Sequence, residues 1–164
     1  MSNSKAELLR VQLRWMNECD LDRVYELEQE FSPKPWGPLE FAHMLMHSNC
    51  VGMVVEHDSQ IIGYVIYEML ENSIKISNIC VMPKFRRKGV GSQMIARIAF
   101  ALPHSTRKEI TLAVHESNLI AQLFFRSLGF KAVNICRAED MKEDIYVMRY
   151  RHQPRILPTS LILN

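Results

Sequence analysis

The sequence contains no CxxC pair, no apolar run near the roughly 18 residues of a membrane span, and almost no net charge. Each absence excludes a class of function. The four cysteines, Cys19, Cys50, Cys80 and Cys136, stand singly, so neither a zinc ribbon nor a dithiol redox motif is present. Met1 to Arg10 holds no long apolar stretch of the kind that leads a secreted chain. Free thiols and a reducing, cytoplasmic setting are expected. A net charge of +2 offers no general attraction for nucleic acid or a membrane. His43 and His47 are four apart on a predicted helix, but no HExxH and no third ligand accompany them, so no metal is expected. There is no internal repeat. The 164 residues suit one domain, read as 10–150, with a lead at 1–9 and a tail at 151–164.

The apolar pattern supplies the elements. "RVQLRWMN" alternates at Val11, Leu13 and Trp15 and reads as a strand. "CDLDRVYELEQEF" follows at helical spacing, with Cys19 or Asp20 as its expected opening. "SPKPWGP" interrupts the pattern with three prolines and a glycine, and "LEFAHMLMHS" resumes a short helix. Three strands come next, "CVGMVVEH", "IIGYVIYEML" and "SIKISNICVM", with hairpin-length connections. Val90, Met94, Ile98 and Leu102 recur every four residues, predicting a helix that Pro103 stops. A strand "KEITLAVHE", a helix "NLIAQLFFRSL" ended by Gly129, and strands "FKAVNIC" and "IYVMRYR" complete the chain. The expected fold is α+β, a mixed, mostly antiparallel central sheet of about seven strands flanked by about four helices.

Positive charge is concentrated in one place, Lys84 to Lys88, directly ahead of the third predicted helix. "RRKGVG" sets Arg86, Arg87 and Lys88 before Gly89 and Gly91. A helix start leaves N–H groups unpaired and carries a partial positive charge, and glycine leaves those amides accessible. The combination suits an anion with several oxygens, such as a pyrophosphate. It is neither GxxxxGK[ST] nor GxGxxG, so neither a nucleotide P-loop nor a dinucleotide fingerprint is present.

"VMPKFRRKGVG" resembles the signature of the GNAT superfamily of N-acetyltransferases, through Pro83, Arg86, Gly89 and Gly91. "NLIAQLFFRSLGF" is similar to a second segment of that superfamily, through Asn118, Ala121, Phe124, Phe125, Gly129 and Phe130. "KPWGPLEF" and "EDIYVMRY" resemble the branch that acetylates the N-terminal alanine of a ribosomal protein. The resemblance spans about residues 10 to 150 and implies transfer of an acetyl group from acetyl-CoA to a primary amine, as a protein N-terminus. A small-molecule amine is the alternative, as is a weakened CoA-binding regulatory domain.

The resemblance also implies a site. Backbone groups of Ile79, Cys80 and Val81 would pair with the pantetheine arm. Arg86, Arg87, Lys88, Gly89, Val90, Gly91 and Ser92 would hold the pyrophosphate. Asn118 and Ala121 would lie along the arm, flanked by Phe124 and Phe125. The catalytic positions depart from the pattern: where the branch carries a glutamate base this chain has Ala113, and where it carries a tyrosine acid this chain has Phe125. Neither can move a proton. His115, Glu116 and Tyr146 are the candidates to replace them, and alternation puts His115 on the same sheet face as Ala113. Tyr64 and Tyr67 could pack or line an acceptor groove, and Glu68 and Glu71, near strand ends, could attract a cationic amine.

Overall fold

Hydrogen bonding along the hairpins predicted between Cys50 and Val81 builds the centre of a seven-stranded sheet. A computed structural model describes residues 8–137 and 143–152. Its strands are β1 (Gln12–Trp15), β2 (Cys50–His57), β3 (Gln60–Met69), β4 (Ser73–Val81), β5 (Glu109–His115), β6 (Lys131–Cys136) and β7 (Ile145–Arg151). The helices are α1 (Leu21–Phe31), α2 (Pro38–Met46), α3 (Val90–Ala99) and α4 (Leu119–Ser127). The strand order is β1-β2-β3-β4-β5-β7-β6, antiparallel throughout except for the β4–β5 pair. That pair is parallel because α3 carries the chain back to the starting end of the sheet.

Two connections show why the local sequence folds as it does. Asp58 and Ser59 both take positive φ, 48° and 60°, which suits the twist of a two-residue hairpin between β2 and β3. Gly129, at φ 92°, turns the chain out of α4 as expected of a glycine just past a helix end.

The sheet separates two apolar clusters. One face carries Met53, Val65, Tyr67, Ile74, Ile76, Ile110, Leu112, Val114 and Met148 beneath the buried residues of α3 and Phe125 of α4. The other carries Val54, Tyr64, Ile66 and Cys80 beneath Val24 and Leu27 of α1 and Phe41 of α2. Tyr64 and Tyr67 are therefore core residues on opposite faces and line no groove.

Two local expectations are adjusted. Asp20 holds the N-cap position of α1, as expected, but its side chain makes no capping hydrogen bond there. Asn17 caps a 3-10 turn over Glu18–Asp20 that leads into it, while the Asp20 carboxylate receives the Asn17 N–H and both terminal nitrogens of Arg14. α3 ends at Ala99 rather than running to Pro103, which lies in a following 3-10 turn, Leu102–His104; Leu102 is buried from that turn. The four-residue apolar spacing continued by chance of packing, because a 3-10 turn can return a side chain to the same core. Of the terminal segments, Leu8 and Leu9 pack against the loop before α3, and the residues from 153 onward lie outside the described residues.

Candidate active site

β4 and β5 pair only from Ser73↔Glu109 to Ile76↔Leu112. Beyond that point the register between β3 and β4 shifts, with Ser77 as the extra residue between Ile76 and Asn78. A bulge bends its strand. Asn78 to Val81 therefore pair with β3 alone, and Ala113 to His115 pair with β7 alone. The two facing edges are left free for a ligand, and Ile79, Cys80 and Val81 lie on one of them. Ala113, on the other, is exposed.

The close approach behind this edge depends on Gly63. A Cβ there would lie 2.6 Å from the Cys80 carbonyl oxygen. The Cys80 side chain points into the core on the α1 side, where burial pushes its thiol up to about 11 and Sγ lies 3.8 Å from the Leu27 carbonyl. The Cys80 backbone faces β3, in register with the Met82 N–H that donates to Ile62 O, so the free edge offers the groups of Ile79 and Val81, with the Val81 carbonyl accepting from Arg86 Nε.

The chain leaves β4 through a 3-10 turn, Pro83–Phe85, and enters α3 through two left-handed residues, Arg87 (φ 62°) and Gly89 (φ 77°). The left-handed Gly89 followed by the right-handed first turn of α3 turns successive N–H groups toward one side, as an anion-binding concavity requires. Arg87 and Lys88 are exposed beside it. Arg86 is committed differently: its Nε donates to the Val81 carbonyl at 2.7 Å, and Nη2 reaches Phe31 O at the end of α1. Gly91 has a packing reason as well, since a Cβ would meet the Phe124 ring at 2.9 Å. Val90 is a core residue and Ser92 is half-buried.

α4 borders the gap. Asn118 caps it, its side-chain oxygen accepting the Ala121 N–H at 3.1 Å. Phe125 is 3% exposed and packs edge-on to Phe124 and Phe130. It belongs to the core, with Phe124 between it and Gly91.

The candidate proton carriers are not one cluster. Val114 is buried on the α3–α4 side, and Tyr146 is its register partner, so Tyr146 shares that side. Ala113 and His115 face the other. Glu116 lies past the strand end, its N–H donating to Asp144 O and its carboxylate accepting from Asp144 N. His115 Nδ1 is 3.0 Å from Lys34 Nζ and 3.3 Å from Glu143 Oε1. Lys34 and Glu143 are themselves ion-paired, and Glu143 also receives the Ser117 N–H at 3.1 Å. The Lys34 ammonium, and then the Ser117 donors, hold the Glu143 carboxyl down at about 2. Glu68 is occupied by Ser77 and Lys75, which hold it below the usual carboxylate range.

Three contributors escaped the sequence reading. Lys34 lay within a segment noted only for its prolines and tryptophan. Glu143 lay in a polar connection. Glu28 is a fully buried carboxylate in α1 that accepts the Trp36 N–H at 2.8 Å and the Tyr64 hydroxyl. Its helical position beside Leu27 put it on the buried face, a signal that was there to be read.

The split strands, the turn with left-handed entry into α3, and α4 beside them define a CoA-type acyltransferase architecture. The model of the Acetyltransferase (GNAT) family matches residues 21–130, and the chain belongs to that family. A relative, the [ribosomal protein bS18]-alanine N-acetyltransferase of Haemophilus influenzae, is 29% identical over 119 residues, covering 71% of this chain and 79% of that protein. The crystal structure of the ribosomal-protein-S18-alanine N-acetyltransferase from Escherichia coli superposes with a TM-score of 0.77 at 22% identity, covering 90% and 99% of the two chains. Arabidopsis thaliana Naa50, solved with the bisubstrate analogue CoA-Ac-MVNAL, gives 0.74 at 16% identity over 88% and 100%. Among the described residues no helix is long and apolar enough to cross a membrane.

Proposed function

We propose that this chain transfers the acetyl group of acetyl-CoA to the α-amine of a protein N-terminus in the cytoplasm. The observation that carries this reading is the open β4–β5 gap leading from the loop before α3. One free strand edge, Ile79–Val81, accommodates an extended amide-bearing arm. The turn at Arg87–Gly89 accommodates its diphosphate, with Arg87, Lys88 and the amides around Gly89, Val90, Gly91 and Ser92 as donors. The names of the relatives support an N-terminal acceptor, and four free cysteines among the described residues fit a reducing compartment.

The chemistry follows from the charges that develop. A neutral amine attacks the thioester carbon and forms the N–C bond while the carbonyl π electrons move to oxygen. The adduct re-forms C=O and expels the CoA thiolate. The proton lost by nitrogen passes to a base and finally, through water, to the departing sulfur. With alanine at 113 and phenylalanine at 125, His115 is the candidate base. Tyr146 shares the α4 side, and Glu116 is turned toward β7.

Thiol release from acetyl-CoA tests the reading. Peptides beginning with alanine should support turnover, and the same peptides with blocked N-termini should not. Turnover only with polyamines or aminoglycosides would assign a small-molecule acceptor. Saturable acetyl-CoA binding without turnover on any amine would leave a CoA-binding module. Arg87→Ala should raise the KM for acetyl-CoA about tenfold or more with less effect on kcat, as loss of one charge-assisted hydrogen bond implies.

A further inference from the structure

We infer that Glu143 and Lys34 compete for one nitrogen of His115 and thereby decide whether this histidine can accept a proton during acetyl transfer. The inference rests on the acetyltransferase reading and names the groups that stand in for the missing base.

Ala113 leaves the strand face next to the gap without a titratable group. The next residue on that face is His115, about 6.6–7 Å further along the strand, within reach through its own side chain and one water. A neutral imidazole carries one proton, and the nitrogen without it is the only acceptor. Here Nδ1 lies 3.0 Å from an ammonium and 3.3 Å from a carboxylate oxygen. If the Lys34 ammonium donates to Nδ1, the ring proton sits on Nε2, and His115 cannot act as a base there. If Nδ1–H donates to Glu143, the Nε2 lone pair is free. The two partners therefore select opposite tautomers.

The contacts of each partner indicate which one moves. Glu143 is held by the Ser117 backbone as well as by Lys34, and it remains an anion across the physiological range. Lys34 projects on a long stem, half-exposed, from the loop that Glu28 anchors through Trp36. An incoming α-ammonium carries the same charge as Lys34 and repels it from the carboxylate. With Lys34 displaced, exchange with water removes the Nε2 proton and supplies one at Nδ1, whose N–H donates to Glu143 and leaves the Nε2 lone pair to take the acceptor's proton. The charged groups nearest in the chain are already engaged: Glu116 accepts from Asp144 N, and Asp144 pairs with Arg137 at 3.4 Å. Glu143 and Lys34 are positioning residues in this scheme, and His115 is the group that exchanges the proton.

The test uses the full chain and three variants, Glu143→Gln, Lys34→Met and His115→Gln. Turnover of an N-terminal peptide is followed from pH 5.5 to 9, together with ¹⁵N imidazole spectra without substrate. His115→Gln should lower kcat about 10²-fold or more. Glu143→Gln removes an anion that favours the imidazolium, so the acidic limb of kcat/KM should move to lower pH. Lys34→Met removes a cation, so that limb should move to higher pH, with a lower KM for the peptide. The spectra should report Nε2–H in the unaltered chain and Nδ1–H in Lys34→Met. A purely structural role would lower activity without moving the limbs in opposite directions. An active enzyme whose limbs stay fixed, or whose His115→Gln variant is fully active, would overturn the inference and leave the acetyltransferase reading standing. A chain that releases no thiol with any amine would sink that reading. The spectra would still decide the tautomer: Nδ1–H with Lys34 present overturns the competition.

Discussion

The two flanks of the β4–β5 gap are held by different kinds of force. On the α3 flank, the turn at Arg87–Gly89 is set by backbone conformation, and the elements behind it by close packing: Phe124 against Gly91, Gly63 against the Cys80 carbonyl, and Val90, Met94 and Ile95 in the core. Among the described residues only Arg86 ties it by charge-assisted hydrogen bonding, and that to backbone carbonyls. On the α1 flank, the loop 32–37, the end of β5 and the start of β7 are tied mostly by polar groups: Glu28 to Trp36 and Tyr64, and Lys34 to His115 and Glu143. Packing is insensitive to salt and pH, whereas exposed ion pairs respond to both. A flank that must present one invariant cosubstrate can be rigid. A flank that must admit and release a charged amine benefits from ties that another charge can replace.

Glu28 is the place to break the polar flank. In Glu28→Ala the buried Tyr64 hydroxyl and the part-buried Trp36 N–H lose their acceptor, at a cost of about 2–4 kcal/mol. Denaturant unfolding should show that loss, and the KM for the acceptor peptide should rise more than that for acetyl-CoA. Glu28→Gln keeps one acceptor oxygen for the Trp36 N–H and turns its NH2 to the Tyr64 hydroxyl oxygen, so it should recover most of the stability. If Glu28→Gln is as unstable as Glu28→Ala, the hydrogen bonds are not what matters.

Gly63 tests the packed flank. Gly63→Ala sets a methyl 2.6 Å from a backbone oxygen that cannot swing away, and overpacking of this kind costs about 1–3 kcal/mol. The strain falls on the edge formed by Ile79, Cys80 and Val81. Calorimetry should find weaker acetyl-CoA binding, with acceptor KM little changed. The reverse split would contradict the assignment of the two flanks.

How far the sequence led follows the same division. The α3 flank was legible because its constraints are local: glycines, cations and a helix start fall within eleven residues. The strand order beyond neighbours and the separation of β4 from β5 were not, since a bulge at Ser77 has no compositional mark. The α1 flank assembles Lys34, His115 and Glu143 from separations of 81 and 109 residues, and no spacing rule joins them. Asn118 and Phe125 carried family positions whose uses here, a helix cap and a core ring, emerge only from their neighbours.

Farther from the gap, Arg14 extends the polar scheme to the base of α1. Its guanidinium binds Asp20 through two nitrogens at 2.7 and 2.8 Å and Glu56 through Nε and Nη2. That hydrogen bonding holds the Asp20 carboxyl below its ordinary range. A lowered folded pKa contributes stability that is fully present above the unfolded value near 4 and is lost as pH falls through the folded one. Arg14→Met should cost about 1–2 kcal/mol at pH 7, allowing for a partly exposed guanidinium. The gap between variant and unaltered chain should close as the pH drops below 4. A gap that persists unchanged there would mean that the arginine stem, and not its charge, supports α1.

The smallest change belongs to Lys34→Met. An exposed ion pair holds two long side chains against entropy and solvent, and its net worth is about 0–1 kcal/mol. Unfolding of this variant should therefore be nearly indistinguishable from that of the unaltered chain, in low and in high salt. Its value lies in that insensitivity, because a residue that leaves the fold alone while moving the acceptor KM must act on the site itself. Should Lys34→Met prove as destabilising as Arg14→Met, the pair with Glu143 is a structural strut, and the polar flank is fixed rather than replaceable.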